Sequence, residues 1–163
     1  MNQRTKELSK RIETFRDDVI AFVEQLSADE WNKISEWEQW TVGMAARHLG
    51  AGHLGIFKLC GMIVEGKELP QWTMDQINEM SKKDAREHAD CTKAEALEHL
   101  RGNGADMVAF VAGLSDEQLD RKGSMPALGG EASVGQVLEY IIFQSAQQHF
   151  NSMKAAVADR AVS

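Results

Sequence analysis

A chain of 163 residues, 43% hydrophobic and 26% charged, has the length and balance of one soluble domain with a sizeable core. Its net charge of −7 argues against a nucleic-acid partner, which needs a concentrated basic face. No stretch approaches the ~20 apolar residues of a membrane span, and the opening MNQRTKELSKR has no apolar signal core. No membrane association and a cytoplasmic location are therefore expected. Cys60 and Cys91, far apart, do not make a disulfide framework.

Both prolines, Pro70 and Pro126, lie outside the periodic segments, and β-alternation is scarce, so an all-α fold is expected. The first long helix runs from about residue 2 to 26 on the stripe Leu8, Ile12, Phe15, Val19, Phe22, Val23 and Leu26. Ser27-x-x-Glu30 is a capping box that opens a short helical turn carrying Trp31 and Ile34. Thr41 caps a second long helix, which ends near Glu65 before Gly66. Residues 67–91 form a long crossover with a short extra helix capped at Thr73. Thr92-x-x-Glu95 starts the third long helix, to about Leu114, where Gly102-Asn103-Gly104 suggests a kink. Ser115 caps another short turn, and a glycine/proline loop from Gly123 to Gly130 leads to Ser133.

Ser133-x-x-Gln136 caps the fourth long helix, with Val134, Val137, Leu138, Ile141, Ile142, Ser145, His149 and Met153 along one face. The order Leu26-Ser27, short turn, Thr41-Val42-Gly43 recurs as Leu114-Ser115, short turn, Ser133-Val134-Gly135. Two similar helical hairpins joined by a crossover make a four-helix bundle, and residues 1–163 read as a single domain.

Ser145 and His149 are polar where the fourth helix should face inward, and His48 lies beside the inward face of the second. Bundle cores build metal sites from facing helices, and imidazole suits zinc, nickel, iron and copper. A catalytic zinc wants about three protein ligands, and spacing supplies two, His48 and His149. A buried hydrogen-bonded cluster of His48, Ser145 and His149 accounts for the same pattern. His53 stands ~140° around an α-helix from His48 and reads as surface or bundle edge. His88 and His99 sit in charged contexts and read as solvated. Glu139 is placed to support the site from behind, and Cys60 reads as inert packing. Gly52 and Gly55, on the His48 stripe, read as close helix packing.

The sequence resembles the DinB-like superfamily of four-helix bundles, which includes mycothiol-dependent maleylpyruvate isomerase and the bacillithiol transferases. The resemblance covers nearly the whole chain. It is carried by Trp40-Thr41-Val42 with Ala46-Arg47-His48-Leu49, by the Leu-Ser-x-Asp/Glu-Glu turns, and by Ser133-Val134-Gly135-Gln136 before His149. It implies a divalent metal (nickel, zinc or iron) held by His48 and His149, with the third family position occupied here by Ser145 instead of histidine or a carboxylate. It also implies a low-molecular-weight thiol as co-substrate and pairing into a homodimer. The activity implied is thiol-dependent transfer or isomerisation, or metal-dependent hydrolysis. Two alternatives stand beside it: a non-catalytic bundle with a degenerate site that serves binding, and a small-molecule binder using the cavity between His48 and His149 without metal.

Overall fold

The computed structural model describes residues 2–158. Its helices are α1 (Gln3–Glu24), α2 (Ala28–Trp31), α3 (Val42–His48), α4 (Phe57–Val64), α5 (Met74–Glu87), α6 (Lys93–Ala112), α7 (Asp116–Asp120), α8 (Val134–Leu138) and α9 (Gln147–Ala158). Two antiparallel hairpins join them, β1 (Ile34–Ser35) with β2 (Trp40–Thr41) and β3 (Lys122–Met125) with β4 (Gly130–Ser133). The architecture is the expected all-α four-helix bundle. Its long elements are α1, the run α3–α4, α6, and the run α8–α9.

Local chemistry starts each helix where expected. Ser27, Thr73, Ser115 and Ser133 form capping boxes with Glu30, Gln76, Gln118 and Gln136. Thr41 and Thr92 cap Met44 and Glu95, and Asn2 caps Thr5. Each such side chain satisfies a helix-end N–H that has no partner within its own helix. At the other end of α4, Gly66 takes φ +74, and the Gly66 and Lys67 amides donate to Ile63 and Met62 carbonyls. That left-handed closure is the Schellman pattern, which favours glycine.

The core lies between α1, α6 and the two interrupted runs. Ile12, Val19, Leu49, Leu100, Met107, Leu138, Ile142 and Met153 are fully buried there. Burial of such side chains contributes ~1.5–3 kcal/mol each and dominates folding. The run Gly102–Gly104 does not interrupt α6, which is continuous from Lys93 to Ala112. Its role is packing. A Cβ at Gly104 would lie 2.2 Å from Arg16 Cδ, and Asn103 Nδ2 donates to the Gly50 carbonyl at 2.9 Å.

The internal repeat is visible in the backbone. In each half a long helix and a short capped helix lead into a hairpin, and the hairpin ends on the N-cap of the next helix. Val42 N–H donates to Lys33 O at 2.8 Å, and Val134 N–H to Arg121 O at 3.0 Å. The stretch expected as a loop from Gly123 to Gly130 is mostly the second hairpin, turned through Gly129 and Gly130 at φ +90 and +132. Ile34 likewise belongs to a strand rather than to the preceding helical turn.

Both site-bearing runs depart from α geometry. Leu49–His53 and Glu139–Ala146 are π-helical. A π turn bonds residue i to i+5, so residues five apart lie on one face where an α-helix would separate them. This one departure relocates a histidine.

Candidate metal centre

Three histidines converge between the two π segments. His48, at the end of α3, His53, one π turn later, and His149, on α9, bring one ligand nitrogen each within 4.8 Å of the others. Their ring centroids are 4.8 Å apart for His48–His53 and 5.0 Å for each ring to His149. The rings meet edge to face. His48 and His149 therefore face each other as expected. His53 is buried, not at the surface or the bundle edge. The 100° step that placed it there fails because the backbone from Leu49 to His53 is π, not α.

Ser145, one turn before His149, stands against the third imidazole, His53. Its Oγ lies 3.0 Å from His53 Nε2. The helix-four position and the helix-two histidine thus reach the same spot from opposite sides. His53 Nδ1 is buried without a well-formed hydrogen bond, and the His48 backbone is the weak partner this ring does find. Leaving a buried polar nitrogen unpaired costs ~1–3 kcal/mol, and a metal ion is one way of recovering it.

His149 is held from behind by Glu38, in the β1–β2 turn. Its Nδ1 lies 2.8 Å from Glu38 Oε2, and Ser152 Oγ donates to Glu38 Oε1 at 2.7 Å. The side chains of His149 and Glu38 are 9% and 3% exposed. An ionised carboxylate only accepts, so His149 Nδ1 is the donor in this hydrogen bond and Nε2 is the ring nitrogen left for the cluster. A carboxylate behind a ligating imidazole is the usual outer partner of a metal site. Gln39, next to Glu38, takes φ +63, an unusual conformation for a non-glycine residue, and turns the hairpin there. Trp40 stacks on His149 at 5.8 Å and 6°, and Trp37 meets the same ring edge to face at 4.8 Å. Glu139, expected behind the site, instead pairs with Arg11 at the surface, at 2.6 Å.

Burial lowers the basicity of the cluster. His48 is pushed down to about 3, by desolvation first and then by His149 and Arg47. His53 falls well below its ordinary value for the same leading reason, with His48 and His149 adding to it. Both rings are neutral at pH 7, the state in which imidazole binds metals. In the metal-free protein this makes folding acid-sensitive. Below the ordinary value of 6.5 the unfolded chain takes up protons that the folded rings refuse. Stability present above pH 6.5 is therefore lost as pH falls toward about 3. The slope is ~1.4 kcal/mol per pH unit for each such ring. Urea titrations of the metal-free protein are expected to show this slope, and His48→Gln is expected to remove about half of it, the His53 share remaining.

The remaining candidates fall outside the centre. His88 is 40% exposed beside Asp84, and His99 is half-buried, its Cβ packed near Gly50. Burial pushes the Cys60 thiol up to about 12, so it is inert packing, and Cys60 and Cys91 are both free and buried. Gly52, on the His48 stripe, would offer a Cβ only to the His48 ring, at 3.4 Å. The close helix contact is one position pair away, at Gly50 against α6. The three histidines form the floor of a cavity of about 970 Å3 that also reaches α5 and the crossover. Among the described residues no helix is long and apolar enough to cross a membrane.

Comparisons with known proteins agree with this architecture. No curated protein matches the chain. Among solved structures it is similar to YfiT from Bacillus subtilis, described as a probable metal-dependent hydrolase with an unusual four-helix bundle topology. The two share 13% identity over 99% of this chain and 90% of that one, with a TM-score of 0.79, a likeness of fold. Residues 11–151, which carry both hairpins and all three clustered histidines, match the DinB superfamily, and the chain belongs to that superfamily.

Proposed function

We propose that the protein binds one divalent metal through His48, His53 and His149 and acts as a metal-dependent hydrolase. The observation that carries this reading is the convergence of three imidazoles within 4.8 Å, with Glu38 behind one of them. Three histidines with an open side match the donor set of a catalytic zinc site, and nickel and iron accept the same ligands. The description of YfiT as a probable metal-dependent hydrolase is in keeping with it. A bound ion would supply Lewis acidity at the cavity floor. Glu38 and Ser152 hold His149 in one tautomer and orientation, while Trp37 and Trp40 shield that side from water. A low-molecular-weight thiol, for the transfer chemistry of the superfamily, would use the same cavity.

One contact favours a metal-free reading. Ser145 already pairs with His53 Nε2, so the cluster is partly satisfied as a hydrogen-bonded network. Elemental analysis of untagged protein decides between them. About one nickel, zinc or iron per chain, lost in His48→Ala and in His149→Ala, is expected. No metal after incubation with excess divalent ions would leave the network reading. Glu38→Gln gives a graded test, since an outer partner is worth ~10–100-fold in metal affinity. Competition with a chromogenic chelator is expected to show a loss of that size with the fold intact.

A further inference from the structure

Among the described residues the exposed large apolar side chains are Ile34, Trp37, Trp72 and Met80. Three of them, Trp37 at 53%, Trp72 at 39% and Met80 at 40%, border the same cavity. Scattered apolar residues on a surface need no explanation, but their gathering on one rim marks a binding site. Inside the rim the wall continues with Leu59, Met74, Ile77, Leu128 and Ile141. At about 970 Å3 the cavity is at the upper end of the ~300–1,000 Å3 typical of small-molecule sites.

The charged groups on this wall are largely paired, with Arg47 Nε the exception, buried without a hydrogen-bond partner. Arg47 Nη1 lies 3.1 Å from Asp84 Oδ2, and Lys82 Nζ lies 3.4 Å from Glu79 Oε1. Glu38 is taken by His149 and Ser152. The Lys82–Glu79 pair is exposed and resists little. A charged body deeper in the cavity would have to break the Arg47–Asp84 pair or the buried Glu38 contacts, at a desolvation cost. An uncharged apolar body meets no such penalty and covers Trp72 and Met80. The convergent polar groups lie at the other end, on the histidine floor.

We propose that the cavity takes a small amphiphile, with one oxygen-bearing head group at the three histidines and an uncharged, elongated apolar body along the Trp72–Met80 wall. The placement of the head group rests on the metal reading; the placement of the body rests on the cavity itself. Methionines at the wall suit a body of variable shape, because their side chains adapt.

The test uses two ligand series on the full chain. Zinc-loaded protein is titrated calorimetrically with straight-chain hydroxamates, from acetohydroxamate to decanohydroxamate. Metal-free protein is titrated with 1-butanol to 1-decanol, followed by tryptophan emission. Affinity is expected to rise about three- to fourfold per added methylene in both series. Met80→Lys, an exposed position on α5 where a charge does not disturb the core, is expected to flatten both rises with the helical circular dichroism unchanged. A rise with the alcohols but no hydroxamate binding keeps the apolar-body assignment and fails the metal reading alone. Affinity independent of chain length in both series overturns the proposal. So does a dimer in sedimentation that Met80→Lys dissociates, since a second copy would then cover the rim.

Discussion

His53→Ala is expected to cost the protein on the order of a hundredfold or more in metal affinity, and His53→Ala/Ser145→His to recover most of that loss. The first figure follows from sharing a structural zinc affinity of ~10–16 kcal/mol among its ligands. The recovery follows from geometry. Ser145 Oγ and His53 Nε2 are 3.0 Å apart, so an imidazole on helix four at 145 reaches the space that the lost ring vacates. Ser145 is also one turn before His149, the position where the resemblance places a ligand. Chelator competition on the wild type and both variants measures the effect. Loss in the single variant without recovery in the double would mean that the π segment at Glu139–Ala146 aims residue 145 elsewhere. Full metal uptake by His53→Ala would remove His53 from the ligand set.

Gly50→Val is expected to destabilise the fold by about 1–3 kcal/mol, the range for overpacking a tight contact. A Cβ at Gly50 would stand 2.8 Å from the Leu100 backbone nitrogen and 2.9 Å from His99 Cβ. The first of these is main chain and cannot swing aside. The side chain would force the π segment away from α6 and break the Asn103–Gly50 hydrogen bond. Thermal unfolding is expected to shift down by roughly 3–10 °C. Gly52→Ala is the control two residues on, where the new Cβ meets only the His48 ring at 3.4 Å. Its stability is expected to equal or slightly exceed that of the wild type, because alanine is the better helix former. Equal destabilisation by both would locate the strain in the π backbone instead of the α6 contact.

The helix starts, the bundle order and the facing of His48 and His149 were legible in the sequence because each depends on short-range chemistry. A serine three residues before glutamate or glutamine announces a cap, and a stripe at helical spacing announces a buried face. His53 was not legible, because a 100° step is built into any helical stripe and a π turn breaks it without changing composition. The trace it leaves is the density of glycine at Gly50, Gly52 and Gly55. Glu38 was hidden differently. Strands of two residues are too short to alternate, so Ser35 to Trp40 read as a connection and its carboxylate was passed over. Gly104 showed the opposite error, where a residue suited to a kink was there to admit Arg16.

The β1–β2 hairpin has two residue pairs, Ile34 with Thr41 and Ser35 with Trp40, too few to be stable alone. What anchors it is the Glu38 carboxylate on His149 and Ser152, with the Trp40 indole laid on the same imidazole. The hairpin is thus a local unfolding unit whose closure is fastened to the residue it covers. Whatever tightens His149 slows the hairpin's amide exchange with solvent, and whatever breaks the Glu38 contacts lets it fray. The hairpin thereby reports on the state of the histidine cluster it covers.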